Sequence, residues 1–431
     1  MPTRSKIIIA DGIHTLVTRI LKACLVALLG IITARALGPA ARGIYVLPNI
    51  EASFMMTMCS GLLGATTYFV IKNNLKRLPD SAFGAALVFS FAGGLVTYAI
   101  ALLSHQLWAA LPAILAVFAG SAGSVANGFW YGMHRVRSVN AFAIVSSLVS
   151  LAIIGGTLFF VRDPHIAVNA WVASSLLTGV GALAFIVLRY RGVASDGASF
   201  AEFIPFTLKM GATALVSLLN YRIDVYVVAL MTSPLGLGLY TIAVTGAESL
   251  STLTQVAGAV TLPHIGSLDN RASIQLTVRA CRANFAITIA LCVVGVLVAP
   301  VAVRGLFGAA FGPAVPALRV LLVGALGMST ASVISSYFSI HLGRPYLTLL
   351  MAGISAVICL LISVALIPRI GIVGGAIGTA SSYLATQTIA LLYFSRLTGV
   401  PLAQIYWLQK DDIAAYTAMA RETWLRLRSK R

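Results

Sequence analysis

Eight residues combine charge or backbone disruption with apolar surroundings: Arg19, Lys22, Arg35, Pro48, Glu51, Arg222, Asp224 and Glu248. Arg19, Lys22 and Arg35 share one apolar stretch that contains no acid. A charge at the centre of a membrane helix costs about 2.5–3.5 kcal/mol on insertion scales, so each calls for a partner or for water. Arg19 and Lys22, three residues apart, would lie on one helix face, with Arg35 about 24 Å further along at 1.5 Å per residue. For Arg19 and Lys22, snorkelling toward the membrane surface is the competing explanation. Arg35 adjoins a turn, where a cavity between helices would open.

The acids are fewer. Asn220, Tyr221, Arg222 and Asp224 fall in a second apolar stretch and Glu248 in the next, with Arg222 and Glu248 each thirteen residues from Leu235. A turn centred there would put them at similar depth and allow an intramembrane ion pair. Arg222 and Asp224, two apart, would point about 200° away from each other and should not pair directly. Glu51 follows closely on Pro48-Asn49. Proline frees a backbone carbonyl, which membrane helices tolerate where neighbouring groups or cavity water satisfy it. Both a gating bend and a static packing kink fit Pro48.

The elements that carry these residues follow from composition. Of 431 residues, 59% are apolar and 10% charged, with a mean hydropathy of +0.95; soluble domains carry about 25% charged residues. Apolar runs of about 20 residues, the length that crosses a 30 Å hydrocarbon core, fill most of the chain. Twelve spans are expected, near 13–34, 44–70, 81–103, 109–130, 140–161, 166–188, 206–231, 237–262, 283–303, 317–340, 345–367 and 371–394. Soluble enzymes, secreted modules and disordered proteins are excluded. The net charge of +18 sits on no polar domain of the kind that binds nucleic acid. One set of loops and ends holds 21 flanking Lys and Arg against six on the other, Arg35, Arg42, Arg162, Arg304, Arg319 and Arg369. The positive-inside rule therefore predicts cytoplasmic termini. Lys22, an apolar run and Ala34-Arg35-Ala36 imitate a cleavable leader. The five cysteines have neither CxxC spacing nor paired His ligands and read as small hydrophobes, with no metal or other cofactor expected.

A repeat argues against a discarded leader. Pro39-Ala-Ala-Arg-Gly43-Ile-Tyr45 and Pro234-Leu-Gly-Leu-Gly238-Leu-Tyr240 both read P-x-x-x-G-[IL]-Y, 195 residues apart. Gly132-Met-His-Arg135 and His341-Leu-Gly-Arg344 form a second pair, 209 residues apart. Two six-span halves of equal orientation follow, an arrangement of transporters whose lobes rock about a central site. The expected fold is all-α and polytopic: an N-terminal lobe over 1–200, a C-terminal lobe over 201–400 and a basic amphipathic cytoplasmic tail over 401–431. Its cations would lie on anionic lipid. GxxxxGK[ST], HExxH and GxSxG are missing, and no span places Arg at every third position, so neither an enzyme nor a voltage sensor is indicated.

Ala34-Arg35-Ala-Leu-Gly38-Pro39-Ala-Ala-Arg-Gly43-Ile-Tyr45 resembles the first-turn signature of the polysaccharide transporter (oligosaccharide-lipid flippase) family, within the multidrug/oligosaccharidyl-lipid/polysaccharide exporter (MOP) superfamily. Asn220-Tyr-Arg-Ile-Asp224 with Gly238-Leu-Tyr240, the segment from Leu306 to Leu321, Gly343-Arg344-Pro345, and Ile367-Pro-Arg-Ile-Gly371 with its glycine-rich continuation resemble later motifs, in order. The resemblance implies a V-shaped carrier of the bacterial inner membrane that moves undecaprenyl-diphosphate-linked oligosaccharides by alternating access, beside a polysaccharide polymerase and chain-length machinery. It implies a cationic cavity in which Arg35, Arg222, Arg19 and Lys22 meet the diphosphate, Glu51, Asp224 and Glu248 couple ions or hold resting charge, and Pro48 bends. Related peptidoglycan-precursor flippases also carry an arginine at the position of Arg35. Gly43-Ile-Tyr45, where that branch has an acid before Ala-Phe, and twelve spans instead of fourteen favour exopolysaccharide, capsule or O-antigen units. A multidrug or cation antiporter of the same fold is the alternative, and an acid in the first span would mark it. A polysaccharide polymerase or ligase would need a large periplasmic loop.

Overall fold

The computed structural model describes residues 4–75, 78–103, 106–190, 199–259 and 270–407, with the backbone alone for 4–13, 16, 103, 251–259 and 270. Among these, every regular element is helical. The chain runs α1 (Arg4–Lys72), α2 (Asp80–Leu103), α3 (Leu107–Gly132), α4 (Val136–Phe160), α5 (Pro164–Arg189), α6 (Phe200–Met231), α7 (Pro234–Ala259), α8 (Asn270–Phe307), a 3-10 turn (Ala309–Ala314), α9 (Val315–Ser336), a π turn (Tyr337–His341), α10 (Pro345–Ile370), α11 (Ile372–Thr398) and the short α12 (Leu402–Tyr406). Nine helical stretches among the described residues are long and apolar enough to cross a membrane. Each of the twelve expected spans falls on a helix, the end of the eighth lying outside the described residues. The chain is a multi-pass membrane protein. The helices outrun the expected spans, as α6 and α8 illustrate, because hydropathy marks only the part that sits in hydrocarbon.

The first two spans are not separated by a loop. A continuous helix of 69 residues would measure about 100 Å, three times the hydrocarbon core. Gly38, at φ 72° and ψ 175°, interrupts it in a region open essentially to glycine alone. Pro39 then restarts the helix at the position where a missing N–H does no harm. Pro48 lies inside the second arm, whose dihedrals stay helical.

Two compact units result. The first holds the described residues up to Leu239 with Arg304–Gly312; the second holds Tyr240–Val303 and the described residues from Pro313 onward. In the first unit the second arm of α1 lies against α6. Tyr68 stacks on Phe206 at 4.6 Å and Phe69 on Phe203 at 5.4 Å. Below them the backbones close in. A Cβ on Gly61 would fall on the Thr207 carbonyl oxygen, and one on Gly211 on that of Met58. The same reciprocity joins the repeated motifs: Gly43 lies on the Pro234 carbonyl and Gly238 on that of Pro39. Small residues allow this approach, and close backbone packing is a main source of helix association in lipid. Leu62, Ala116, Val125, Phe129, Ile186 and Phe203 fill the centre, while Ile154, Leu158 and Val168 pack beside Tyr45.

In the second unit Tyr337, Phe338 and Phe394 are fully buried, and Asn284 on α8 donates to the Ser329 carbonyl of α9 at 2.5 Å. The chain beyond α11 is tied back: Arg282 donates to the Gln404 carbonyl, Gln387 to the Tyr406 hydroxyl at 3.0 Å, and Tyr406 meets Phe285 edge-on at 4.7 Å. The rest of the expected amphipathic tail, residues 191–198 between α5 and α6, Lys76 and Arg77 lie outside the described residues. The second repeat pair has one backbone shape in both copies. His134 (φ 56°) and Gly343 (φ 63°) are left-handed, and Arg135 and Arg344 follow as N-caps of α4 and α10 with ψ of 60° and 62°.

Glycines at backbone crossings and glycines facing open space should respond oppositely to substitution. Gly43→Val must displace a carbonyl and is expected to cost at least the 1–3 kcal/mol of ordinary overpacking. A Cβ at Gly156 in α4 meets nothing within 4 Å, so Gly156→Ala should be neutral or gain up to about 1 kcal/mol in helix propensity. Thermal unfolding in detergent measures both; equal melting temperatures would refute the crossing as a packing constraint.

Candidate functional site

The cations of the first span are deployed in two ways. Arg19 and Lys22 are exposed on the first arm of α1, together with Cys24. Arg35, also exposed, is held instead: its Nε donates to the Leu306 carbonyl at 2.7 Å and its NH2 to the Gly305 carbonyl. Those oxygens belong to the last turn of α8, which ends at Phe307. A helix's final carbonyls lack intrahelical donors and carry the negative end of its dipole. Arg35 therefore caps α8, and any anion that engaged its guanidinium would compete with backbone carbonyls.

A polar strip runs along the α1–α6 packing. Ser53 and Tyr226 share a hydrogen bond of 2.9 Å, and Phe54 meets the Tyr226 ring edge-on at 6.0 Å. Arg222 lies one helical turn before Tyr226, near enough for its charge to act on the phenol. It is half-buried, whereas Asp224 is 3% exposed and accepts from the Val225 N–H at 2.8 Å. The two occupy different faces of α6, as their spacing requires. Glu51, 6% exposed, and the buried Pro48 precede Ser53 on the second arm. Glu248 is half-buried on α7 in the second unit. The structure thus brings Glu51, Arg222 and Asp224 to the same pair of helices and leaves Arg19 and Lys22 apart from them.

The remaining acids with described side chains serve helix ends. Asp163 caps α5 by accepting from the His165 and Ile166 N–H groups at 2.8 and 3.0 Å, while Asp80 and Glu202 stand in the first turns of α2 and α6. Acids there are stabilised by the positive end of the dipole. Among the described residues no three His, Cys, Asp or Glu side chains gather as metal ligands.

One residue departs from its sequence reading. Arg42, counted among the flanking cations, is 6% exposed, and its Nε and NH1 are buried without a hydrogen-bond partner among the described residues. The repeat held the signal: it aligns Arg42 with Leu237, which is 2% exposed. A position that is core in one copy of the motif is a cation in the other.

No family model and no curated protein matches the sequence. Solved structures do. Lipid II flippase MurJ in an inward closed conformation aligns over 92% of this chain and 89% of its own at 15% identity, with a TM-score of 0.72. An inward-facing multidrug-resistance MATE-family transporter of the MOP superfamily aligns over 89% and 98% at 17% identity, with a TM-score of 0.67. A MOP-superfamily transporter from Pyrococcus furiosus, described as having a binding pocket of reversed polarity, aligns over 91% and 95% at 17% identity, with a TM-score of 0.59. At such identities the likeness is one of fold: the chain has the twelve-helix architecture of MOP-superfamily transporters.

Proposed function

We propose that the chain is a flippase for undecaprenyl-diphosphate-linked oligosaccharides, working in the bacterial inner membrane by alternating access with both termini cytoplasmic. The observation that carries this reading is a first span holding Arg19, Lys22 and Arg35 and no acid, within a fold like that of a lipid flippase. A diphosphate brings negative charge and several acceptor oxygens, which guanidinium groups meet with charge-assisted, bidentate hydrogen bonds. Arg35 is suited to a transient role, since carbonyl oxygens are weaker partners than phosphate and release it when a phosphate arrives. Arg222 supplies a second cation at the α1–α6 contact, and Arg19 and Lys22 steer the head group. Glu51, Asp224 and Glu248 couple ions or balance charge, with Pro48 permitting the second arm to bend. A polysaccharide polymerase and chain-length machinery would receive the product.

A multidrug antiporter is the second reading, supported by likeness to the MATE-family transporter at a comparable TM-score. The two readings diverge on cargo. Proteoliposomes carrying a fluorescent undecaprenyl-diphosphate oligosaccharide report transfer through the access of a membrane-impermeant quencher. The intact chain is expected to transfer the probe, and Arg35→Ala to slow it about tenfold or more, equivalent to about 1.4 kcal/mol. Arg35→Lys separates charge from geometry: retained transfer makes Arg35 a steering charge, lost transfer a bidentate ligand. Absent transfer, with a cationic dye moving against a proton or sodium gradient, would replace the flippase with the antiporter.

Ion coupling has its own check. If Asp224 or Glu51 carries the coupling proton, Asp224→Asn or Glu51→Gln should leave transfer running at a rate insensitive to an imposed pH gradient. Unchanged gradient sensitivity in both variants would remove these acids from coupling.

A further inference from the structure

Pro300 lies inside α8. Having no N–H, it deprives the carbonyl four residues back, that of Val296, of its helical donor. In a membrane span such a group must be satisfied from elsewhere. Arg319 on α9 does so: its Nε donates to the Val296 carbonyl at 3.1 Å. One turn further along the pair, the Cys292 Sγ donates to the Leu322 carbonyl at 2.9 Å and fixes the two helices side by side. All of these residues belong to the second unit. The Val296 carbonyl takes one N–H of Arg319 and cancels none of its charge. Between Asp269 and Asp411 the chain has no Asp or Glu, so α8 to α12 bring no carboxylate to this arginine. It makes no other polar contact among the described residues. A cation in a membrane span calls for a partner, and here the countercharge has to come from outside these helices.

The surroundings define that partner. On α9, Pro316, Arg319 and Val323 are exposed along one face; on α8, Val293, Leu297 and Val301 are exposed beside the contact, Leu297 and Val301 at 71% and 74%. Both helices are long and apolar enough to cross a membrane, so these side chains meet acyl chains. A soluble anion gains nothing from such a seam, whereas a phosphate carried on acyl chains does. We propose that the α8–α9 seam binds a membrane phospholipid, its phosphate on the Arg319 guanidinium and an acyl chain along the exposed apolar faces. With Nε committed to Val296, NH1 and NH2 remain at the end of the guanidinium and can meet two oxygens of one phosphate. Pro300 aims the arginine, because the carbonyl that it frees holds Nε. The proposal goes beyond the flippase reading, in which Arg319 has no part.

Native mass spectrometry of the full chain in detergent, titrated with phosphatidylglycerol or with diacylglycerol of the same acyl chains, gives the test without cargo or transport, so either reading can fail alone. Wild type should bind phosphatidylglycerol about tenfold or more tightly than diacylglycerol, and Arg319→Gln should lose that preference. Pro300→Ala returns a helical donor to Val296 and loosens the anchor with the charge intact; its affinity should fall between those of wild type and Arg319→Gln. Where Arg319→Gln alone folds badly for want of a donor to Val296, the same substitution in the Pro300→Ala background should show the same loss. Arg369→Gln, which removes an exposed cation at the end of α10, should bind as wild type does. The site is overturned by a wild type without preference for the phosphate lipid, by an Arg319→Gln chain that keeps the preference, or by an equal loss in Arg369→Gln. Unchanged affinity in Pro300→Ala would overturn the anchoring.

Discussion

In hydrocarbon, apolar side chains gain little by leaving lipid for one another, so close approach of helix backbones becomes a main source of association. That constraint organises the first unit. At Gly43 and Gly238, and again at Gly61 and Gly211, each glycine stands where a side chain would strike a carbonyl of the opposing helix. The reciprocity of both crossings means that neither helix can rotate without driving its neighbour's carbonyl into its own backbone. Aromatic stacking of Tyr68 and Phe69 on Phe206 and Phe203 then needs only to complete a register that the glycines impose.

The same medium decides where charge can sit. The cations of the first span are answered by position: Arg19 and Lys22 stay exposed, and Arg35 takes the orphan carbonyls of α8. Acids go to helix starts at Asp80, Asp163 and Glu202, where dipole and free N–H groups receive them. Charges outside these solutions are the ones that invite a functional account, and in the first unit Glu51, Asp224 and Arg42 are the most buried of them.

Much of this was legible in the residues. Apolar runs located the helices because a bilayer demands about 20 consecutive apolar residues, and the repeat P-x-x-x-G-[IL]-Y located the one place where its two copies lie on each other. The kind of connection between the first two spans was not legible. Ala34 to Gly43 reads as a polar-edged turn, and only the backbone shows that Gly38 alone interrupts α1. Helix ends were missed for a related reason, since residues such as those opening α6 and α8 leave the hydrocarbon while keeping helical hydrogen bonds. Of the candidate site, the sequence showed residue types and spacing but not contacts. Charge and spacing marked Arg35 as available to an anion, but no pattern in the sequence could place Gly305 and Leu306, 270 residues away, against its guanidinium.

Arg35 and Arg42 show why residue type alone does not assign a role. Both are arginines of one motif, either side of Gly38. Arg35 is exposed and hydrogen-bonded, so its interactions can be exchanged at low cost: water, a carbonyl or a phosphate can succeed one another. Arg42 is buried with donors unmet, so exchange is not available to it, and its charge either holds one partner tightly or weighs on the fold. On the flippase reading proposed above, a group that must let go of its cargo has to be cheap to leave empty. Arg35 meets that condition and Arg42 does not, although they are the same residue type seven positions apart.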